Sequence, residues 1–587
     1  MLAMHLPARR QRLECVELPD RQPGAGQIRI AMSACGVCRT DLHVADGDLP
    51  PGQTPMKRWP ACAPANSKEP RSWFLKAFIG AAFSPTASLM PVPAPAFDLL
   101  IIGGGINGTG IARDAAGRGL SVLLVEQHDL ASHTSSASTK LVHGGLRYLE
   151  YYQFRLVREA LRERETLLTI APHIIWPLQF VLPHSPAMRP AWMIRAGLFL
   201  YDHLAKRKRL PASRAVTFGP HPAVQVLKPT YQRGFTYSDC WVEDSRLVVL
   251  NAVDAAARGA EIRTRTKLIS AHPAGGVWEA VIDDGQRSET IKTNAIVNAA
   301  GPWVGDVLSG KLGRNEQKTV RMVKGSHIIV NRLYQGDFAF ILQNPDQRIV
   351  FAIPYEHDFT LIGTTDIPYD ADPAAVMISP DETDYLCASV SAYFRVAVTP
   401  ADMVRSYSGV RPLYDDHAET ASAVTRDYVL DVQASAGQPA LLSVFGGKIT
   451  TFRKLAEHAL EKLLPAMGRA VGTPWTAMAP LPGGDMPHAA FEPYLAQFKQ
   501  THPFLPAALC HRLVRAYGTR AATIIGDATS LADLGQDFGG GLYQAEVDYL
   551  IAHEWARSAE DILWRRSKLG LHAPAETASK LAGYLQS

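Results

Sequence analysis

One segment restricts what this 587-residue chain can become more than any other: FDLLIIGGGINGTGIARDAAGRGLSVLLVEQ. Phe97 to Ile102 is an apolar run that reads as a buried strand. It ends on Gly103, Gly105 and Gly108, in G-x-G-x-x-G spacing. A helix follows through Ala116, Gly119 allows a turn, and a second strand runs to Val125 and ends on Glu126. Gly103 permits the tight turn, Gly105 lets backbone approach a pyrophosphate, and Gly108 lets helix and strand pack closely. The helix N-terminus attracts phosphate, and Glu126 stands at the spacing expected for a carboxylate that meets a ribose hydroxyl. A lone glycine triplet is weak evidence. Strand, glycines, helix, strand and acid in order argue for an α/β dinucleotide-binding unit.

The motif leaves NAD and FAD both open. Residues 132–150, SHTSSASTKLVHGGLRYLE, are dense in hydroxyls, among them Ser135 and Ser136, and then carry Gly144 and Gly145. Such a loop suits a second stretch of pyrophosphate and an isoalloxazine ring; the plainer alternative is a polar surface loop.

Composition excludes several classes. Hydrophobic residues make up 47% and charged residues 20%, which is ordinary for a globular protein. A formal net charge of +4 over this length gives no reason to expect nucleic acid as a partner. Seven cysteines are too few for a disulfide framework and fit a reducing compartment. No apolar run reaches the ~18 residues that a membrane-spanning helix needs. The character of the chain changes three times. Residues 1–60 hold short strand-like runs, 61–95 form a Pro-, Ala- and Ser-rich linker, 96–474 read as α/β, and 475–587 as a helical domain.

The segments GGGINGTGIARDAAGRGLSVLLVE, TSSASTKLVHGGLRYLE, YSDCWVEDSRLV, VNAAGPWV, KGSHIIV, IGTTD, YSGVRPL, TRDYVLD and LLSVFGGKITTFRKLAEHALEKL resemble the FAD-dependent aerobic glycerol-3-phosphate dehydrogenases of bacteria. The resemblance runs from about Phe97 to near the C-terminus. It implies an FAD-binding Rossmann-like domain of the glutathione-reductase/D-amino-acid-oxidase type, assembled from distant segments, with an antiparallel β cap over the substrate and a C-terminal helical domain. Gly301, Gly446 and Gly447 join the expected cofactor set. It further implies sn-glycerol 3-phosphate as substrate, ubiquinone or another membrane quinone as acceptor, and a place on the inner face of the cytoplasmic membrane; a homodimer is compatible with it. The same flavin chemistry with oxygen as acceptor, or a non-catalytic flavoprotein, are the competing readings.

Oxidising a secondary alcohol beside a phosphate needs cations for the phosphate, a base for the hydroxyl proton and a fixed distance to the flavin. By resemblance, Arg147, Tyr148 and Arg426 bind phosphate or substrate, Arg411 and Lys448 lie nearer the reacting hydroxyl, and His327 is the candidate base. On residue type alone, a His before a β-branched run is more often packed than catalytic, and an Arg before Pro is commonly a surface or hinge residue. Lys448 near a helix start is unfavourable without an anion nearby, which slightly favours a ligand role.

Two further segments carry expectations. QIRIAMSACGVCRTDLHVADGDLP is similar to the start of zinc-dependent medium-chain alcohol dehydrogenases, but the rest of that family's ligand set is missing. Cys35, Cys38 and His43 do not make a zinc site by themselves, so no metal is expected; the segment reads as a truncated fusion, with Met90 as the expected initiator. RPAWMIRAGLFLYDHLAKRKRLPASR, residues 189–214, reads as an amphipathic helix followed by a basic cluster, Lys206 to Arg209, suited to a membrane surface.

Overall fold

A computed structural model of the protein describes residues 2–5, 14–17, 96–186, 188–314, 318–346, 348–415, 427–435 and 437–586. The chain divides into two units, Met1–Pro91 and Val92–Ser587. In the first, Leu2–His5 pairs antiparallel with Glu14–Glu17. Cys35, Cys38, His43, the whole 61–95 linker and Met90 lie outside the described residues. So does Arg426.

The second unit begins with the strand Ala96–Ile102, whose residues Leu99 to Ile101 are fully buried. An apolar strand with both faces covered belongs in the middle of a parallel sheet. Ala96–Ile102 does run parallel to Val122–Glu126 on one side and to Ser288–Asn298 on the other. Ser288–Asn298 is shared. Its last residues, Ala295 to Asn298, also pair in parallel with Ala440–Phe445, while its first half continues antiparallel into Val277–Asp283. The helices Ile106–Gly117, Asp244–Ala257 and Phe452–Ala466 pack in the core with one face of this sheet, and Trp278 and its neighbours fill the other. The result is a three-layer Rossmann-like domain stitched from segments at both ends of the chain.

The cap is a second sheet. Its long pair is Val320–Asn331 against Met403–Tyr414, antiparallel from Val320↔Tyr414 to Val330↔Met403. The sheet departs from the all-antiparallel expectation at one junction, where Phe338–Gln343 runs parallel to Ile175–His184. Two separate excursions from the first domain meet edge to edge there, so their relative direction is not set by a hairpin.

The C-terminal part is helical, with Phe491–Thr501, Ala507–Tyr517 and Gln544–Glu554 around one apolar core. It is tied to the first domain by charge. Arg246, on the helix Asp244–Ala257, forms a two-nitrogen pair with Glu554, and Arg566 does the same with Asp129 at 2.8 Å; all four side chains are buried. Breaking either pair from one side would strand a charge, at about 3–5 kcal/mol.

Candidate active site

The glycine turn is built by exclusion. Gly103 has φ +111°, and a Cβ there would lie 2.5 Å from the Ala299 carbonyl oxygen. A Cβ at Gly108 would lie 1.9 Å from the Gly103 carbonyl oxygen, so strand and helix touch through bare backbone. Ser135 Oγ accepts from Ile106 N–H at 3.0 Å, which seats the hydroxyl-rich loop on this turn. Asn107 Nδ2 donates to the Gly446 carbonyl at 3.1 Å and brings the Gly446–Gly447 turn onto the same helix start.

These pieces enclose a cleft of about 360 Å³ lined by Gly103, Gly105, Glu126, Ser135, Gly301, Gly446 and Gly447. Glu126 accepts from Gly104 N–H at 2.7 Å and His128 N–H at 2.8 Å. Burial pushes its carboxyl above the usual range, against those two donors. Asn107 Oδ1 is buried with no partner among the described residues, an acceptor aimed at a donor still to come. Backbone that admits no Cβ, a helix N-terminus and an acid at the end of the second strand fit a dinucleotide such as FAD. Of the other predicted cofactor residues, Gly108 and Gly144 serve packing. Gly144 N–H donates to Asp239 and Tyr201, and a Cβ there would meet Leu161. Ser136 faces a different cavity, described below.

Beyond Ser135 and Gly447 the cleft passes into a second space of about 320 Å³. Arg147, Tyr148, His327, Arg411 and Lys448 all line it. They arrive from four separate segments. Gly145, at φ +75°, starts the turn that carries Arg147 and Tyr148; a Cβ there would sit 2.2 Å from the Tyr148 ring. Lys448 Nζ lies 3.8 Å from the centre of that ring. Arg411 comes from Met403–Tyr414 and is held as a fork: Asp366 pairs with one nitrogen, Thr364 Oγ accepts from the other at 2.9 Å. Thr365 is in turn fixed by the buried Glu382, which accepts its hydroxyl at 2.7 Å. Among the described residues no carboxylate pairs with the half-buried Arg147 guanidinium, which leaves it a cation suited to a bound phosphate.

His327 is buried, stacked on Tyr407 with ring centres 4.8 Å apart, and its Nε2 lies 3.0 Å from Thr139 Oγ, itself a wall residue. Burial, then Arg411 and Lys140, hold the imidazole well below its ordinary range. It is therefore neutral at physiological pH, the state in which it can take a proton. His143 lines the same space, and burial lowers it too. Sequence reading passed over His143, Thr139, Asn107 and Asp366, although all four sit inside the segments quoted above. The signal was position within a motif, without a residue type that demands a role.

The amphipathic segment folds as the helix Ala191–His203. Trp192 is 71% exposed and Phe199 56%, while Leu198 is fully buried in the cap core. Tyr152, 79% exposed, and Tyr151 lie on the neighbouring turn. Arg207 is half-buried and donates to the Asp202 carbonyl, while Arg209, though exposed, donates to the carbonyls of His488 and Ala489. Lys206 and Lys208 are exposed. Among the described residues, no helix is long and apolar enough to cross a membrane.

Comparison with known proteins gives a consistent result. The model of the FAD dependent oxidoreductase family matches residues 98–453, and that of the C-terminal domain of alpha-glycerophosphate oxidase matches 475–585. A glycerol-3-phosphate dehydrogenase of Pseudomonas aeruginosa is 55% identical, over 86% of this chain and 97% of its own. A D-erythritol 1-phosphate dehydrogenase of Brucella abortus is 53% identical, over 81% and 95%. Among solved structures, a glycerol-3-phosphate dehydrogenase from Bacillus halodurans complexed with FAD superimposes with a TM-score of 0.64 at 27% identity, covering 84% of this chain and 94% of that one.

Proposed function

We propose, from the premise that this chain belongs to the FAD-dependent oxidoreductases and, among them, to the glycerol-3-phosphate dehydrogenases, that it oxidises sn-glycerol 3-phosphate to dihydroxyacetone phosphate. The observation that carries the reading is the convergence of Arg147, Arg411, Lys448 and His327 on a space continuous with the glycine-lined cleft. FAD, held there by Gly103, Gly105, Glu126, Ser135, Gly301, Gly446 and Gly447, supplies the two-electron acceptor. Arg147, with Tyr148 and Arg426, takes the phosphate. Arg411, its fork fixed by Asp366 and Thr364, and Lys448, set against Tyr148, orient the C2 hydroxyl and favour its charge as the proton leaves. His327 receives that proton at Nε2, where the substrate hydroxyl competes with Thr139.

Anaerobic mixing of the FAD-loaded protein with glycerol 3-phosphate tests this directly: the yellow colour should bleach, and an unchanged spectrum would refute it. The Brucella relative favours a second reading of the substrate, a four-carbon phosphopolyol. The ratio of kcat/KM for the two phosphates decides between them. For the acceptor we favour a membrane quinone over oxygen; stoichiometric peroxide during turnover would reverse that choice.

The electrons then need a route to the bilayer, and the exposed Trp192, Met193, Phe199 and Leu200, beside Tyr151 and Tyr152, support a peripheral seat on the inner membrane face. Lys206 and Lys208 would add about 1 kcal/mol each against anionic lipid. The double variant Lys206→Gln/Lys208→Gln should float less well with anionic vesicles, and a parent that does not float ends the idea. Domain limits at 474/475, and a fragment with no catalytic part at residues 1–60, complete the reading.

A further inference from the structure

A third cavity, about 230 Å³, lies on the other side of the hydroxyl-rich loop. Residues of Ser132–Lys140, Arg405–Val410 and Glu560–Lys568 line it, with Pro302, Trp303 and the 373–376 turn closing the rest. Arg405, Trp564, Arg565 and Lys568 line neither the dinucleotide cleft nor the substrate space. Four cations, Lys140, Arg405, Arg565 and Lys568, face one carboxylate, Glu560.

Among the described residues, two of these four cations have no hydrogen-bonded carboxylate. Lys140 holds Asp244 at 2.9 and 3.0 Å, and that carboxylate also accepts the Ser138 hydroxyl and the Ser245 N–H. Lys568, only 8% exposed and set in left-handed backbone at φ +59°, reaches the same Asp244 at 3.8 Å, beyond hydrogen-bond distance. A buried ammonium normally keeps a full set of partners. Glu356 also feels Lys568, and burial and Glu243 push its carboxyl up. His133, pushed down to about 4, adds no charge.

Arg405 is the second under-partnered cation. Its guanidinium lies 3.3 Å from the centre of the Trp564 ring, and among the described residues no carboxylate hydrogen-bonds it. A guanidinium seated over an indole keeps its N–H groups for an oxyanion. Arg565, by contrast, is already bound to Asp129 and Asp561 and lies 3.5 Å from Glu560, whose charge also reaches Arg405, so it contributes field more than a free donor.

We infer that this cavity is a second anion site, separate from substrate and cofactor, which takes a small phosphate through Lys568 and the edge of Arg405. The volume admits inorganic phosphate or a small phosphomonoester. The inference does not depend on which alcohol the flavin site oxidises.

The test is equilibrium dialysis of labelled inorganic phosphate against the FAD-loaded full-length protein and three variants. The parent should bind a phosphate that Arg411→Ala keeps, and that Arg405→Gln and Lys568→Met each weaken at least tenfold, with kcat/KM for glycerol 3-phosphate within twofold of the parent. Should Lys568→Met lose its flavin, the exposed Arg405 decides alone. Excess 3-phosphoglycerate then separates the two sources: displacement identifies a phosphomonoester pocket, persistence a pocket for free phosphate. The site is refuted if the parent binds no phosphate, if Arg411→Ala alone abolishes binding, or if both cavity variants bind as the parent does.

Discussion

The dinucleotide cleft and the substrate space adjoin each other yet are made of different material. The cleft is backbone: Gly103 and Gly447 line it where a methyl group would collide with Ala299 or Asn107, Gly108 behind them packs helix on strand, and its one prominent acid is already bonded to two N–H groups. The substrate space is side chain: three cations and a neutral imidazole, each carried by a different segment, with Arg411, Lys448 and His327 each set by a neighbour. A site of the first kind fails by shape, all at once. One of the second kind loses function group by group while its form persists.

The largest expected effect follows from the first kind. Gly108→Val places carbon 1.9 Å from a backbone oxygen that cannot retreat without moving the central strand. The protein should then hold no flavin, as read from the ratio of visible to protein absorbance. Retention of normal flavin would break the contrast. Next come Arg411→Ala and Lys448→Ala, which should keep their flavin and lose on the order of 2–4 kcal/mol of transition-state stabilisation, or roughly 30- to 1000-fold in kcat/KM. Loss of flavin in step with activity would show that the two regions are not separable in this way.

A subtler effect concerns acid. His327 sits well below its ordinary pKa because of burial, Arg411 and Lys140. A base with a lowered pKa stays neutral as the pH falls through 6.5 and is protonated only below it. The His327 limb of kcat/KM should therefore lie on the acid side of 6.5. In Arg411→Ala it should move upward, since a positive neighbour is gone. A limb at or above 6.5 in the parent would exclude His327 as the base. The smallest effect is expected from the far end of the chain: starting it at Met90 should change neither flavin content nor activity, because Ala96–Ile102 and all its pairing partners follow that point. Loss of folding would show that residues 1–89 do structural work.

The same contrast explains what could be read from the sequence. The glycine turn was legible because Gly103, Gly105, Gly108 and Glu126 fall within one βαβ unit at fixed spacing, even though the backbone that excludes a side chain at Gly103 comes from the distant Ala299. The cations were not legible by spacing. Arg147, His327, Arg411 and Lys448 meet only because a sheet brings segments 300 residues apart to one wall, and resemblance alone pointed to them. Charge runs mislead in another way. Lys206 to Arg209 look like one basic patch on paper, yet Arg207 is half-buried and Arg209, though exposed, is tied to the carbonyls of His488 and Ala489, leaving two lysines that the fold does not engage in this way. Under-partnering of Lys568 has no sequence signature at all, since it depends on which carboxylates Lys140 has already taken.

The bond from Asn107 to the Gly446 carbonyl spans 339 positions. Its meaning changes when the chain is considered in time. The first wall of the cofactor cleft emerges early in synthesis, but the strand Ala440–Phe445 and the turn after it, which complete the sheet and close the cleft, are made much later. At about 5–20 residues per second, the interval is on the order of tens of seconds. Throughout it the nascent glycine turn exists without the far side of its pocket. Cofactor capture is thus a late event in the life of each molecule, and the supply of FAD matters after most of the chain has left the ribosome.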